Sequence, residues 1–84
     1  MSQVPAASRA LRVLRFLAAQ PEPVPGDRIA RELGIPRSTT YHLLAAMAEE
    51  GFVVHLPDDR AYGLGVAAFE VGSGYTRQAP LQRL

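Results

Sequence analysis

Cysteine is absent from this 84-residue chain. That excludes a disulfide framework and any thiolate metal site, and it fits a reducing compartment. Lysine is absent too, so all nine basic residues are arginine. GC-rich coding is a plain source of that bias. Arginine also suits phosphate and guanine better than lysine does. Histidine occurs only at His42 and His55, without carboxylates at ligand spacing, so no metal site is expected. No apolar run approaches the roughly 20 residues that a membrane span needs. No nucleophile, base and orienting residue form a set, so enzymatic chemistry is not expected. No cofactor is expected either. The first acidic residue is Glu22, and Arg9, Arg12 and Arg15 precede it, as in some transit peptides. Their helical spacing reads instead as an ordinary first helix.

What remains is one small domain with a thin core, since a chain this short buries only about 60% of its unfolded surface. Net charge is +1 but unevenly spread. Residues 1–48 hold six Arg against three acids, or +3, and residues 49–84 hold three Arg against five acids, or −2. The positive charge thus sits in the first half of the chain.

The hydrophobic pattern predicts a mainly α domain with a small β-hairpin. Residues 1–7 read as a flexible tail. Ser8 is placed to cap a first helix that runs to about Gln20, with Leu11, Leu14, Leu17 and Ala18 at helical spacing and Val13 beside them. Pro21, Pro23 and Pro25 end it. Val24 suits a one- or two-residue strand. A second helix spans Gly26 to Leu33, with Ile29, Ala30 and Leu33 inward and Arg28, Arg31 and Glu32 outward. Gly34 closes that helix in the left-handed conformation, Ile35 plugs the turn, and Pro36 suits the start of the next helix. A third helix runs from Arg37 to Glu50 and stops at Gly51. Phe52–Leu56 and Ala61–Leu64 read as two strands around a Pro57–Arg60 turn. A further helix begins after Gly65, its second half weakened by Gly72, Gly74 and Pro80. Two helices joined by a tight turn, followed by a hairpin, make a winged helix-turn-helix: a three-helix core and wing over residues 8–64, and a linker or dimerisation helix over residues 65–84.

The third helix carries the chemistry. At about 100° per residue, Thr40, Leu43, Leu44 and Met47 form one stripe, which is the core face. Ser38, His42, Ala45 and Glu49 lie opposite. This outer face is small and polar at its start and acidic at its end, as suits a helix that enters a DNA groove by its N-terminus. Ser38 and His42 are placed to reach base edges, and Ala45 to pack on a thymine methyl. Arg37, Thr39 and Tyr41 are placed for phosphates or flanking bases. Arg28, on the outer face of the second helix, and Arg60, at the hairpin tip, complete the expected DNA-contacting set. Arg9, Arg12 and Arg15 form a stripe that is either a solvated face or a further backbone contact. Gly63-Leu64-Gly65-Val66-Ala67-Ala68 fits a dinucleotide-binding pattern, but there is no room for the βαβ unit it requires.

Taken together, these segments resemble the N-terminal domain of the IclR family of bacterial transcriptional regulators. The resemblance rests on Ser8-Arg9-Ala10-Leu11, Ile29-Ala30, Leu33-Gly34-Ile35-Pro36, Ser38-Thr39, Leu43-Leu44, Glu50-Gly51-Phe52-Val53 and Tyr62-Gly63-Leu64-Gly65. It covers roughly residues 8 to 84. No one motif is specific, but their order and spacing are. The resemblance implies sequence-specific binding of double-stranded operator DNA by a homodimer, in the cytoplasm at the nucleoid and away from membranes. It also implies a larger C-terminal domain that binds a small effector. That domain is absent from these residues, so the chain reads as a fragment or as a reduced regulator. Three positions depart from the family pattern. His42 stands where Arg is frequent, Pro25-Gly26 replaces a hydroxyl cap and an apolar residue, and Thr40 stands where an aliphatic residue is usual. The alternative function is a winged helix used for protein contact, such as the N-terminal dimerisation module of a small-molecule methyltransferase. That role needs no polar, Arg-led face on the third helix.

Overall fold

A computed structural model describes residues 3–81. Helix α1 spans Pro5–Ala18, strand β1 Val24–Pro25, α2 Gly26–Leu33 and α3 Arg37–Glu49. Strand β2 spans Val53–Leu56, a single 3₁₀ turn Pro57–Asp59, β3 Ala61–Leu64 and α4 Val66–Gln78, with a last 3₁₀ turn at Ala79–Leu81. The sheet is antiparallel in the order β1-β3-β2. Val53 pairs with Leu64 and Leu56 with Ala61 across the hairpin, while Val24 pairs with Tyr62 on the other side. Packed together, these elements form the winged helix-turn-helix expected from the sequence.

The core is one cluster of Val13, Leu17, Val24, Ile29, Leu44, Met47 and Val53, flanked by Ala10, Leu14, Phe16, Leu33, Leu43 and Tyr62. Each of the three core helices and each of the strands β1 and β2 contributes to it. Val24 holds its place because β1, though only two residues long, docks the start of α2 onto the edge of β3. Full burial of a Leu or Ile side chain contributes about 1.5–3 kcal/mol, so a cluster this small leaves little surplus over chain entropy.

The first helix departs from the expected one at its start, its end and its inner face. It begins at Pro5 rather than after Ser8, so residues 5–7 are helical and not tail; residues 1 and 2 of that tail lie outside the described residues. Proline at the first helical position needs no N–H, and the Ser8 N–H donates to the Val4 carbonyl at 3.1 Å, so Ser8 is inside the helix and caps nothing. The helix closes at Ala18, where the Gln20 side chain turns back to donate to the Phe16 carbonyl at 3.2 Å. Its inner face runs through Val13 and Leu17, while Leu11 is 60% exposed. Helix α3 ends one residue earlier than expected, and β2 starts one later. The Phe52 N–H is taken by the Met47 carbonyl at 2.9 Å, which makes Phe52 the closure of α3 and not the first strand residue.

Helix α4 runs unbroken through Gly72 and Gly74, yet none of its residues is buried. Its first turn is tied to the end of α3: the Gly65 N–H donates to the Phe52 carbonyl at 2.8 Å and the Ala67 N–H to the Gly51 carbonyl at 3.0 Å. Gly65 is therefore a close-approach residue, since a Cβ there would lie 2.3 Å from the Gly51 oxygen. This packing accounts for the glycine that the sequence pattern shares with dinucleotide-binding loops.

Two glycines separate backbone conformation from steric room. At Gly34 (φ 66°) a Cβ meets nothing within 4 Å, so Gly34→Ala should cost only the left-handed penalty of about 1–2 kcal/mol. Gly65→Ala must move backbone and should cost more. Thermal unfolding of the two variants checks the order. Gly65→Ala as stable as wild type would refute the close approach.

Candidate nucleic-acid interface

The turn between α2 and α3 is fixed from both sides. Gly34 adopts φ 66°, ψ 33°, and the Ile35 N–H returns to the Ala30 carbonyl at 3.1 Å. Ile35 is buried beneath the turn, as expected. An Arg12 terminal nitrogen donates to the Leu33 carbonyl at 2.7 Å, which satisfies one of the carbonyls a helix end leaves open. Arg12 is thus a strut between α1 and α2. Pro36 precedes α3, and its carbonyl accepts both the Thr40 N–H at 2.9 Å and the Thr40 hydroxyl at 3.1 Å. This explains a hydroxyl at a core position: Thr40 is fully buried, and its only polar side-chain atom is bonded.

Thr40, Leu44 and Met47 are buried and Leu43 is half-buried, so α3 is locked in rotation. Ser38, His42, Ala45 and Glu49 then face solvent, with Thr39 and Tyr41 half-buried at the two edges. No side chain caps the start of α3 and its first turn holds no acid. Its free N–H groups and the positive end of the helix dipole favour an anion there.

Beside that helix start stands a cluster that sequence reasoning missed. Arg37 Nε donates to Asp27 Oδ1 at 2.7 Å, and the Tyr41 hydroxyl donates to the same oxygen at 3.0 Å. The Arg37 guanidinium lies 5.4 Å from the centroid of the Tyr41 ring. The ring in turn packs over Gly26, where any Cβ would come within 2.7 Å of it. This accounts for a glycine at the start of α2. Tyr62 on β3 meets Tyr41 edge-on at 6.3 Å and stacks on His55 at 4.6 Å. An unbroken line of contacts therefore runs from the wing through Tyr62 and Tyr41 to Arg37 and Asp27. The signal available in the sequence was weak: an acid just inside α2 and an Arg opening α3, two helix starts that the tight turn brings side by side.

The other expected residues are dispersed. Arg28 Nε pairs with Glu32 at 3.3 Å and a terminal nitrogen reaches Gln20 at 3.4 Å, so this side chain bridges α2 to the end of α1. Arg60 stands exposed at the hairpin tip with φ 51°, a left-handed conformation that costs a non-glycine residue of order 1–3 kcal/mol. Asp58 and Asp59 precede it in the 3₁₀ turn.

The Arg37 hydrogen bond, then that from Tyr41, pulls the Asp27 carboxyl below its ordinary value of 3.8. The same hydrogen bond to Asp27 raises Arg37. Tyr41 is raised first by burial and then by its bond to Asp27. At neutral pH the site therefore holds one carboxylate, one guanidinium and one neutral phenol.

Comparison with known proteins places this geometry in a family. The IclR helix-turn-helix domain profile matches residues 6–57. The transcriptional repressor IclR of Escherichia coli is 33% identical over 79 residues, which is 94% of this chain and 29% of that protein. The acetate operon repressor of Salmonella typhimurium matches to the same extent. The crystal structure of an IclR transcriptional regulator from Alicyclobacillus acidocaldarius superposes with a TM-score of 0.81 at 32% identity, covering 86% of this chain and 29% of that one. The chain thus spans less than a third of the length of each of these relatives.

The carboxylate at the centre of the cluster is directly measurable. A lowered folded-state pKa means that the pair contributes above the unfolded carboxyl pKa and is lost as pH falls through the folded one. By NMR, the Asp27 side-chain carbon should titrate with a midpoint below 3.8. Arg37→Ala should move that midpoint up. An unchanged midpoint would disprove the pairing.

Proposed function

The chain belongs to the IclR family and comprises its helix-turn-helix DNA-binding domain; on that premise we propose that it binds a pseudo-palindromic operator as a homodimer, with α3 in the major groove. The observation that carries this reading is the divided surface of α3. One stripe is sealed in the core, and the opposite stripe of Ser38, His42 and Ala45 is bare, led by Arg37 at the uncapped helix start. A helix of a purely protein-binding module has no need of that arrangement.

In the proposed complex Ser38 and His42 meet base edges, and Ala45 meets a thymine methyl. Arg37, Thr39 and Tyr41 hold phosphates or flanking bases beside the α3 N-terminus. Arg60 extends from the wing, and Arg28 lies along the outer face of α2. Glu49 lies at the far end of α3, clear of the backbone charge. An imidazole presents two ring nitrogens, whereas a guanidinium presents a planar fork of five N–H donors. His42 therefore reads a different base-edge pattern from the Arg frequent in the family.

The dimer contact is proposed on the unburied apolar side chains of α1 and α4. Leu11, Val66, Phe69, Val71 and Tyr75 are each at least 60% exposed. Leu11 and Val71 line one apolar groove together with Ala10, Leu14, Met47 and Phe52. Two such domains would sit with their α3 helices about one helical turn of DNA apart, or a multiple of it. The relatives are named as transcriptional repressors, not enzymes, and regulation of transcription is the role proposed here. In a longer protein, a small-molecule effector would act through a domain beyond these residues. No helix among the described residues is long and apolar enough to cross a membrane, and the cytoplasm is the proposed location.

Two measurements test this reading. The wild-type chain should select a two-fold-symmetric duplex from a random pool, with log K falling by about 0.9 per phosphate contact for each unit of log salt. Failure to bind any duplex at low salt, with a dimer indifferent to DNA by sedimentation, would favour the protein-contact alternative. Phe69→Arg should shift the chain to monomer and weaken the symmetric duplex far more than a half-site; equal effects on both would place the dimer contact elsewhere.

A further inference from the structure

Asp27 belongs to α2 and lies off the reading face, yet it holds the first residue of α3. We propose that Asp27 is a positioning residue that sets DNA specificity through Arg37. This rests on the DNA-binding role proposed above.

Charge makes the first argument. Indiscriminate attraction to DNA scales with the number of unpaired cations brought to the phosphates. Arg37 carries a carboxylate at 2.7 Å, so the two side chains approach a random duplex as a neutral pair. Their side chains are 73% and 57% exposed, and an ion pair this open adds little to folding stability. Its consequence is felt by whatever approaches the guanidinium.

Geometry makes the second. A guanidinium has five N–H donors in a rigid fork. Asp27 takes the Nε–H, which removes the side-on approach that uses Nε with one terminal nitrogen. The end-on approach, with both terminal nitrogens, stays open. Tyr41 shares the same carboxylate oxygen and lies against the guanidinium, and its ring is seated on Gly26 and braced by Tyr62. The fork is thereby ordered before DNA arrives, so a correctly placed pair of acceptors gains bonds without the entropy cost of fixing a free arginine. A misplaced phosphate finds neither net charge nor a movable donor. Asp27 thus converts Arg37 from a general phosphate clamp into a contact that rewards one register.

Asp27→Asn tests this, because it keeps the shape and one acceptor and removes the charge. The probes are the duplex that the wild-type chain enriches from a random pool and an alternating dI–dC copolymer. Affinity for the copolymer should rise about three- to tenfold, with a salt slope steeper by about 0.9, while the selected duplex gains less. The ratio of the two affinities should fall several-fold. In an Arg37→Ala background the same substitution should raise both affinities alike and leave the ratio unchanged, since Asp27 then has no fork to hold. An unchanged ratio in the wild-type background overturns the proposal, and so does an equal fall of the ratio in both backgrounds. A wild-type chain that prefers no duplex overturns the DNA-binding reading itself, and this proposal with it.

Discussion

The rotational setting of α3 is the constraint on which the rest depends. Thr40 and Leu44 are fully buried and Met47 nearly so, and these residues recur at the spacing that keeps one side of a helix inward. A shift of one residue would turn the helix by about 100°, bringing Tyr41 or Thr39 into the core and a leucine to the surface. Burial alone would not fix where the helix begins. That is settled by the turn, through the left-handed Gly34, the buried Ile35 and a Pro36 carbonyl that accepts two bonds from Thr40. The hydroxyl of Thr40 is therefore no flaw in the core. It ties the inner stripe to the turn, at the cost of some apolar area that an aliphatic residue would have supplied.

Several of the arginines serve the fold before they can serve a ligand. Arg12 closes the end of α2, and Arg28 joins α2 to the end of α1. Arg37 is engaged as well, but through Nε, by a partner that offsets its charge and leaves the end of its fork to a ligand. The domain carries a net charge of only +1. In the proposed complex its approach to DNA would thus rest on placed donors and on the dipole of α3 rather than on a broad positive field. That balance favours discrimination over raw affinity, and it would suit the proposed dimer, in which each of two copies contributes a modest share.

Where local rules dominate, the sequence was legible. The limits of α2, the left-handed Gly34, the buried stripe of α3 and the returning strand at Ala61 each follow from residues within one turn of the feature. The exposed face from Arg37 to Ala45 followed directly from that stripe. What escaped depends on contacts between elements. Ser8 has the chemistry of a cap, but Pro5 offers an earlier start and the helix takes it. Leu11 has the periodicity of a core residue, yet the core is met by Val13 and Leu17, on the far side of the same helix. Asp27 and Arg37 are ten positions apart, and only the tight turn brings them together. Gly26 stood out only as a departure from the family pattern; its reason is a tyrosine ring from the next helix.

Helix α4 shows what the thin core leaves undone. It is 13 residues long, with two internal glycines and no buried side chain. An isolated helix of that length is marginal in water, and each interior glycine costs roughly 1 kcal/mol relative to alanine. Two backbone hydrogen bonds to Gly51 and Phe52 anchor its first turn, but they do nothing for the remainder. Its exposed Phe69, Val71 and Tyr75 are the means by which it would be stabilised, and burying them against a second chain, as in the proposed dimer, would supply what intrachain packing does not. Order in α4 and association would then be one equilibrium. A helix that firms up only when two domains meet also fixes the distance between their α3 helices, so the weakness of α4 alone is what would make half-site spacing depend on the dimer.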